Sequence, residues 1–317
     1  MRSKMYKQLV HVTGVIFLVA VITLSCTRKK QIAVTDTPVS GFIDISVDES
    51  FKPVIDEQIK MFEASYAGAK INVHYKPEAE CLKDLLKDSA TRLIIVTRGL
   101  NGKEERYFED SMNYVPRWDK IATDAIAVVV NAKNTDTIFT LKRLQDQLSG
   151  RLGNKQPIVF DGLSATSTVR FAIDSILKGK SFDTSVVKAV TNSKAVLNYI
   201  ASDENAIGLV GISWIGNPED TAQVNMLKKV KMAYVKCDIC SDSPYVKPSQ
   251  LSILTKRYPL VRGLYYVLKE NYSGLGAGFV DFMQFERGQL IFKRAYLGSA
   301  KIGFAIRSVK INEKLVK

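Results

Sequence analysis

From Gly41 to Asn131 short apolar runs alternate with amphipathic ones, and no other feature narrows the fold as much. "GFIDISVDES" reads as a strand that ends in an acidic and hydroxyl turn. "FKPVIDEQIKMFEASY" then sets Phe51, Val54, Ile55, Ile59 and Phe62 on one helical face. "KINVHY" alternates again, "ECLKDLLKDS" is a short helix, "TRLIIVTRG" has a wholly apolar centre, and "GKEERYFED" is another helix. That order is βαβαβ with parallel strands. "KIATDAIAVVVNAKN" adds a longer apolar strand, followed by "TLKRLQDQLSG" as helix and "QPIVFD" as strand. "SKAVLNYIASDE" is helical, "NAIGLVGISWI" a strand and turn, and "VKMAYVK" a strand. "YPLVRGLYYVLKE" opens strand-like, and "LGAGFVDFMQFERGQLIFKRAYL" reads as one long amphipathic helix.

The stretch "VFDGLSATSTVRFAIDSIL" places Gly162, Ser164, Thr166, Ser167 and Thr168 ahead of a run with helical apolar spacing. A turn of this kind leaves backbone N–H groups unpaired where the helix dipole is positive, which suits an anion. The same residues also suit an N-cap. From this window alone both readings stand.

At the N-terminus Arg2, Lys4 and Lys7 precede an apolar core from Leu9 to Leu24, then Ser25 and Cys26, the pattern of an export signal. The apolar run is short for a membrane span. A small residue followed by cysteine resembles the lipobox of bacterial lipoproteins, with Thr23 where such boxes usually carry leucine and Leu24 one place later. The resemblance implies acylation of Cys26. Residues 27–40 are polar and read as a tether. About 275 residues remain, natural for two lobes. The net charge of +13 is scattered, with no aromatic-interleaved basic stripe, so nucleic acid is not an expected partner. Excess positive charge favours encounter with anions or membrane surfaces.

Catalytic constellations are not recognisable, and an enzyme is not expected. His11 falls in the signal and His74 on an alternating strand, which leaves no multi-histidine metal site. "GISWIG" lacks the spacing of a nucleophile elbow. "SILK" and "SVVK" lack the companion motifs of Ser-x-x-Lys enzymes. Cys237 and Cys240 in "CDIC" form either a local disulfide or two free thiols, and Cys81 reads as a buried apolar residue. Trp118 and Trp214 read as core or interlobe packing. No cofactor is implied.

In order, "DESFKPVIDE", "LIIVTRGLNGKE", "DAIAVVVN", "STVRF", "NAIGLVG", "YPLVRGLYYV" and "GFVDFMQFERGQLI" resemble the phosphate-binding proteins of bacterial phosphate ABC importers in their lipoprotein form, a type II periplasmic binding protein family. The resemblance implies an α/β fold of two lobes, each a mixed sheet flanked by helices, joined by a two-strand hinge. Residues 1–26 would be the signal and 27–40 the tether, with lobe I formed by 41–131 and 237–317 and lobe II by 132–236 inserted between them. The hinge would lie near "VVVNAK" and "AYVKCD", beside Cys237 and Cys240, so that reducing a disulfide there should alter closing.

The resemblance also implies a site. Ser50 would donate its hydroxyl beside the amide of Phe51; Thr97 and Arg98 would close the third strand; Thr166, Ser167 and Thr168 would form the second jaw. The chain departs from the family pattern at Gly162, where many members have arginine, at Ser167, where many have glycine, and in "KPEAE", where Glu78 and Glu80 replace hydroxyls. Arg98 could pair those carboxylates or bind the anion itself. For phosphate to be preferred to sulfate a carboxylate must accept the proton that phosphate retains; Glu80, Asp161 and Glu49 are the candidates, with Glu80 favoured. The implied protein is a monomeric, lipid-anchored receptor on the periplasmic side of the cell envelope that delivers phosphate or a related oxyanion to an ABC permease. The alternative is a non-transport relative of the same fold, acting as a sensor or envelope interaction protein.

Overall fold

Strands β1 (Gly41–Asp48), β2 (Ala69–Lys76) and β3 (Thr91–Val96) are parallel and lie in the order β2-β1-β3. The computed structural model describes residues 36–153, 156–162 and 164–300, and the first compact unit that it describes begins at Asp36. The signal, Cys26 and the tether as far as Thr35 lie outside the described residues. What was expected to be the end of the tether is packed against the body instead. Asp36 is buried and accepts hydrogen bonds from Arg92 Nη2 and the Leu275 N–H, both at 2.8 Å.

Alternation explains the inner face of this sheet. Ile43, Ile45 and Val47 are buried on β1, and the helix Lys52–Ser65 lays Val54, Ile55, Ile59 and Phe62 into the same core. Each such side chain contributes roughly 1.5–3 kcal/mol on burial. The helices Glu78–Lys87 and Gly102–Met112 cover the other face with Cys81, Leu85 and Phe108, so Cys81 is the buried apolar residue expected.

β4 (Arg117–Asn131) is the long apolar strand, buried from Ile121 onward because it serves two half-sheets in turn. A short strand, β5 (Ile138–Phe139), follows it; then β6 (Ile158–Phe160), β7 (Val187–Ala189) and β8 (Ile207–Gly211) pair in parallel, with β8 antiparallel to residues Ile126–Val130 of β4. β9 (Val230–Met232) pairs with the end of β4, whereas β10 (Tyr234–Lys236) and β11 (Tyr245–Val246) join β5 in a separate three-stranded sheet. β12 (Val261–Leu268) runs antiparallel between β3 and residues Arg117–Ala125 of β4, and β13 (Gly298–Ser299) flanks β4 at Ala122 and Thr123.

Three expectations change in detail. "VKMAYVK" is two strands, because Ala233 donates to Val128 O and turns the chain from β4 to β5. The long helix is two, Leu275–Gln284 and Glu286–Arg294, broken where Phe285 is extended. Gly288 permits that break: a Cβ there would lie 2.3 Å from Phe282 O. After Cys237 the chain folds back as β11 on β10, and the return to β4 runs through Tyr258 and Leu260, whose partners are the Ile126 and Val128 backbone. Cys237 and Cys240 are joined in a disulfide. Among the described residues no helix is long and apolar enough to cross a membrane.

Candidate functional site

The carboxyl ends of β1, β3, β6 and β8 converge, the place where open α/β sheets present ligand-binding loops. At the end of β1 the Asp48 carboxylate accepts from the Ser50 N–H at 3.0 Å and caps a short 3-10 turn, Glu49–Phe51. That cap turns the Ser50 hydroxyl inward, fully buried, before the helix Lys52–Ser65 begins. From β8 the Ser213 hydroxyl donates to Ser50 O at 2.9 Å and fixes the turn from the other side. Gly211 sits close against this turn: a Cβ there would lie 3.1 Å from Ser50 O and 3.2 Å from Arg262 Nη2.

After β6 the hydroxyl-rich turn divides its work. Thr166 is the N-cap, accepting from the Val169 N–H at 3.3 Å and donating to Asp161 Oδ1 at 2.9 Å. Ser167 and Thr168 are fully buried and face Ser50, with oxygen separations of 3.3 and 3.5 Å. Thr168 also donates to Asp161 Oδ2 at 3.2 Å. The turn is therefore a cap through one hydroxyl and a jaw through the next two.

The basic group here is Arg262, which no sequence motif indicated. Arg262 and Asp124 are register neighbours on β12 and β4, and Nε meets Asp124 Oδ2 at 2.7 Å while Nη1 donates to Ser167 at 2.8 Å. The guanidinium also lies 5.0 Å from the centre of the Phe51 ring. Three polar atoms of this cluster, Arg262 Nη2, Asp48 Oδ2 and Asp124 Oδ1, are buried without a hydrogen-bond partner among the described residues. A signal for the pair does exist in the sequence. Asp124 in "KIATDAIAVVV" and Arg262 in "YPLVRGLYYV" each put a charge inside an apolar strand, and buried charges of opposite sign have to be paired.

Ser50, Phe51, Thr166, Ser167 and Thr168 are thus brought together, and Thr97, Arg98 and Glu80 are placed differently. The Thr97 N–H and hydroxyl both donate to Glu78 Oε1, and Arg170 Nη2 donates to the Thr97 oxygen at 2.5 Å. Arg98 makes a two-pronged pair with Glu104, both contacts at 2.7 Å, and reaches neither Glu78 nor Glu80. Glu80 is exposed. It lies two residues after Glu78 on the same helix, and residues so spaced point to different sides, so only Glu78 turns inward. His74 pairs with Asp44, and Trp118 is partly exposed with its indole N–H on Glu105. Trp214 packs against the core.

Carboxylates outnumber guanidinium groups in this cluster, and burial acts on each. It pushes Asp48 up to about 7, reinforced by the Glu78 carboxylate and opposed by Arg262, Ser167 and the Ser50 N–H. Burial raises Asp161 against the Thr166 hydroxyl, Arg262 and the Thr168 hydroxyl, and raises Asp124 against Arg262. Burial also raises Glu49, although the Ser193 hydroxyl and N–H hold it from across the cluster at 2.7 and 3.2 Å. For Glu78 burial is outweighed by Arg170 and Thr97, and its carboxyl sits below the ordinary value. Among the described residues no group of histidine, cysteine, aspartate and glutamate could hold a metal ion.

A family model described as a PBP superfamily domain matches residues 33–287. No curated protein matches the chain by sequence. Among solved structures, a phosphate-bound protein of Clostridium perfringens assigned as a phosphate ABC transporter substrate-binding protein is 20% identical, with a TM-score of 0.67 over 82% of this chain and 100% of that one. An ABC-type phosphate transport receptor of Vibrio cholerae is 16% identical, with a TM-score of 0.57 over 82% and 100% of the two chains. A protein of Planctomyces limnophilus assigned to phosphate binding is 19% identical, with a TM-score of 0.54 over 82% and 93%. At these identities the likeness is one of fold.

Proposed function

Since this chain belongs to the PBP superfamily, a family of substrate-binding proteins, we propose that it is a receptor that closes on an inorganic oxyanion, phosphate, and hands it to an ABC permease. The observation that carries the reading is that Arg262 Nη2 and Asp48 Oδ2, two of the cluster's three unpartnered buried atoms, lie beside the hydroxyls of Ser50, Ser167 and Thr168. One is a charged donor and the other an acceptor. Leaving such groups unpaired costs about 1–3 kcal/mol each, and more for a charge. A tetrahedral oxyanion that still holds a proton satisfies both, taking the Arg262 N–H on one oxygen and giving its own proton to Asp48. Above about pH 7, where Asp48 is ionised, sulfate has no proton to give and would set an oxygen against the carboxylate. Asp48 thus takes the acceptor role that the sequence assigned to Glu80.

In this reading the lobes are the two half-sheets. One contains β1, β2, β3, β12 and the first part of β4; the other contains the rest of β4 with β6, β7, β8 and the three-stranded sheet. The hinge is the adjacent pair of segments around Asp124–Ile126 and Tyr258–Arg262 rather than "AYVKCD". The receptor is placed on the periplasmic side of the envelope, anchored through acylated Cys26, and monomeric. Replacing Cys26 by Ala should abolish labelling with a radioactive or alkyne fatty acid; retained labelling would exclude that anchor.

Calorimetry of the purified chain against phosphate, arsenate, sulfate and molybdate tests the function. At about pH 8, where Asp48 is ionised and phosphate still carries a proton, phosphate and arsenate should bind at least about a hundredfold more tightly than sulfate, and Asp48→Asn should narrow that gap. Equal binding of phosphate and sulfate, or binding of neither, would overturn the reading.

A further inference from the structure

Beside the anion cluster a second set of contacts joins the same two half-sheets without touching Ser50, Ser167 or Arg262. Arg170, on the short helix Ser167–Phe171, reaches across to the helix Glu78–Lys87, with Nε 2.6 Å and Nη2 3.3 Å from the two Glu78 carboxylate oxygens. Its Nη2 also donates to the Thr97 oxygen, at the end of β3. A backbone bond runs alongside, from the Ala79 N–H to Ala165 O at 3.1 Å. Glu78 is 2% exposed, and its bonded partners from its own half-sheet are the Thr97 N–H and hydroxyl, both neutral. Two cations of that half, Lys76 and Arg98, are committed to Asp84 and Glu104. The positive charge that compensates buried Glu78 is therefore supplied from the opposite side, by Arg170.

We infer that Arg170, Glu78 and Thr97 form a latch that closes the cleft independently of the anion, with Arg170 as a positioning residue that sets how long a bound anion is held. The inference rests on the two-lobed reading above. Separating the lobes breaks a two-pronged ion pair and the shared Thr97 bond at once, whereas the hydroxyls and Arg262 would contribute fully only around a ligand. A closed form that is partly populated before binding raises apparent affinity by the same factor as its population.

The test is small-angle X-ray scattering of the full chain, with and without inorganic phosphate, together with stopped-flow measurement of phosphate release. Arg170→Ala should enlarge the ligand-free radius of gyration, return to the wild-type compact value at saturating phosphate, and release phosphate about tenfold faster with little change in association. The reversed pair, Glu78→Arg with Arg170→Glu, should recover part of the ligand-free compaction. If Arg170→Ala does not fold, Thr97→Val removes the shared hydroxyl and should shift both readouts in the same direction by a smaller amount. Ligand-free scattering and release rates identical to wild type would overturn the latch and leave the receptor reading standing. If wild type binds no phosphate the receptor reading falls, and the ligand-free scattering of wild type and variants still decides the latch.

Discussion

Burial pushes the Asp48 carboxyl up to about 7, the Glu78 carboxylate adds to the effect, and Arg262, Ser167 and the Ser50 N–H oppose it. The unfolded chain releases the same proton near the ordinary carboxyl value of 3.8. Between those two values the folded protein holds a proton that the unfolded chain has lost, so this group's contribution to stability falls as pH rises through the window and stays low above it. Asp48→Asn removes the titration while its amide oxygen can still accept from the Ser50 N–H. Thermal unfolding without phosphate should therefore give equal melting temperatures for variant and wild type near pH 4. Above pH 7 the variant should be more stable by several degrees. A melting difference that does not change between those pH values would exclude Asp48 as the group responsible. The hydroxyls of Ser50, Ser167 and Thr168 are legible in the sequence, because strand-end and turn chemistry is local. The Arg262–Asp124 pair is less so. Its members are 138 residues apart, and only their sign and their apolar strands connect them. Glu80 misleads for a related reason, since "KPEAE" shows two acids but not which of them the helix turns inward.

At the scale of elements the alternation of apolar and amphipathic runs carries nearly everything that builds the first half-sheet. β1, β2 and β3 are parallel as read, and the helices between them bury the faces that the spacing indicates. What spacing cannot supply is where an element stops for tertiary reasons. The run from Leu275 to Arg294 keeps its helical period across Phe285, yet the backbone extends there and Gly288 packs directly against Phe282 O. Ala233 divides β9 from β10 in the same way, because the strand has two partners to serve. β4 is the converse case. Its long apolar centre reads as a buried strand, and it is buried because one strand pairs with β12 over its first part and β8 over its second. Since Asp124 and Ile126 fall at that change of partners, the element that links the half-sheets also carries a carboxylate of the candidate site.

The whole molecule places the Cys237–Cys240 disulfide away from that change of partners. Cys237 follows β10 directly and its N–H donates to Pro244 O, so the bridge and its loop are tied to the three-stranded sheet of β5, β10 and β11. The segments that cross between half-sheets are instead β4 at Asp124–Ile126 and the stretch from Tyr258 to Arg262. A bridge with a sequence separation of 3 constrains little chain. Closing so short a loop is worth about 2 kcal/mol through the unfolded state. It therefore bears on stability rather than on the equilibrium between open and closed forms, which is the opposite of what a bridge beside the hinge would do. Phosphate titrations of the oxidised and the dithiothreitol-reduced protein should give the same dissociation constant within about twofold, while the reduced form melts a few degrees lower. A tenfold change in affinity on reduction, with Cys237→Ser/Cys240→Ser reproducing it, would put the bridge in the closing motion and return the hinge to the segment where the sequence first placed it.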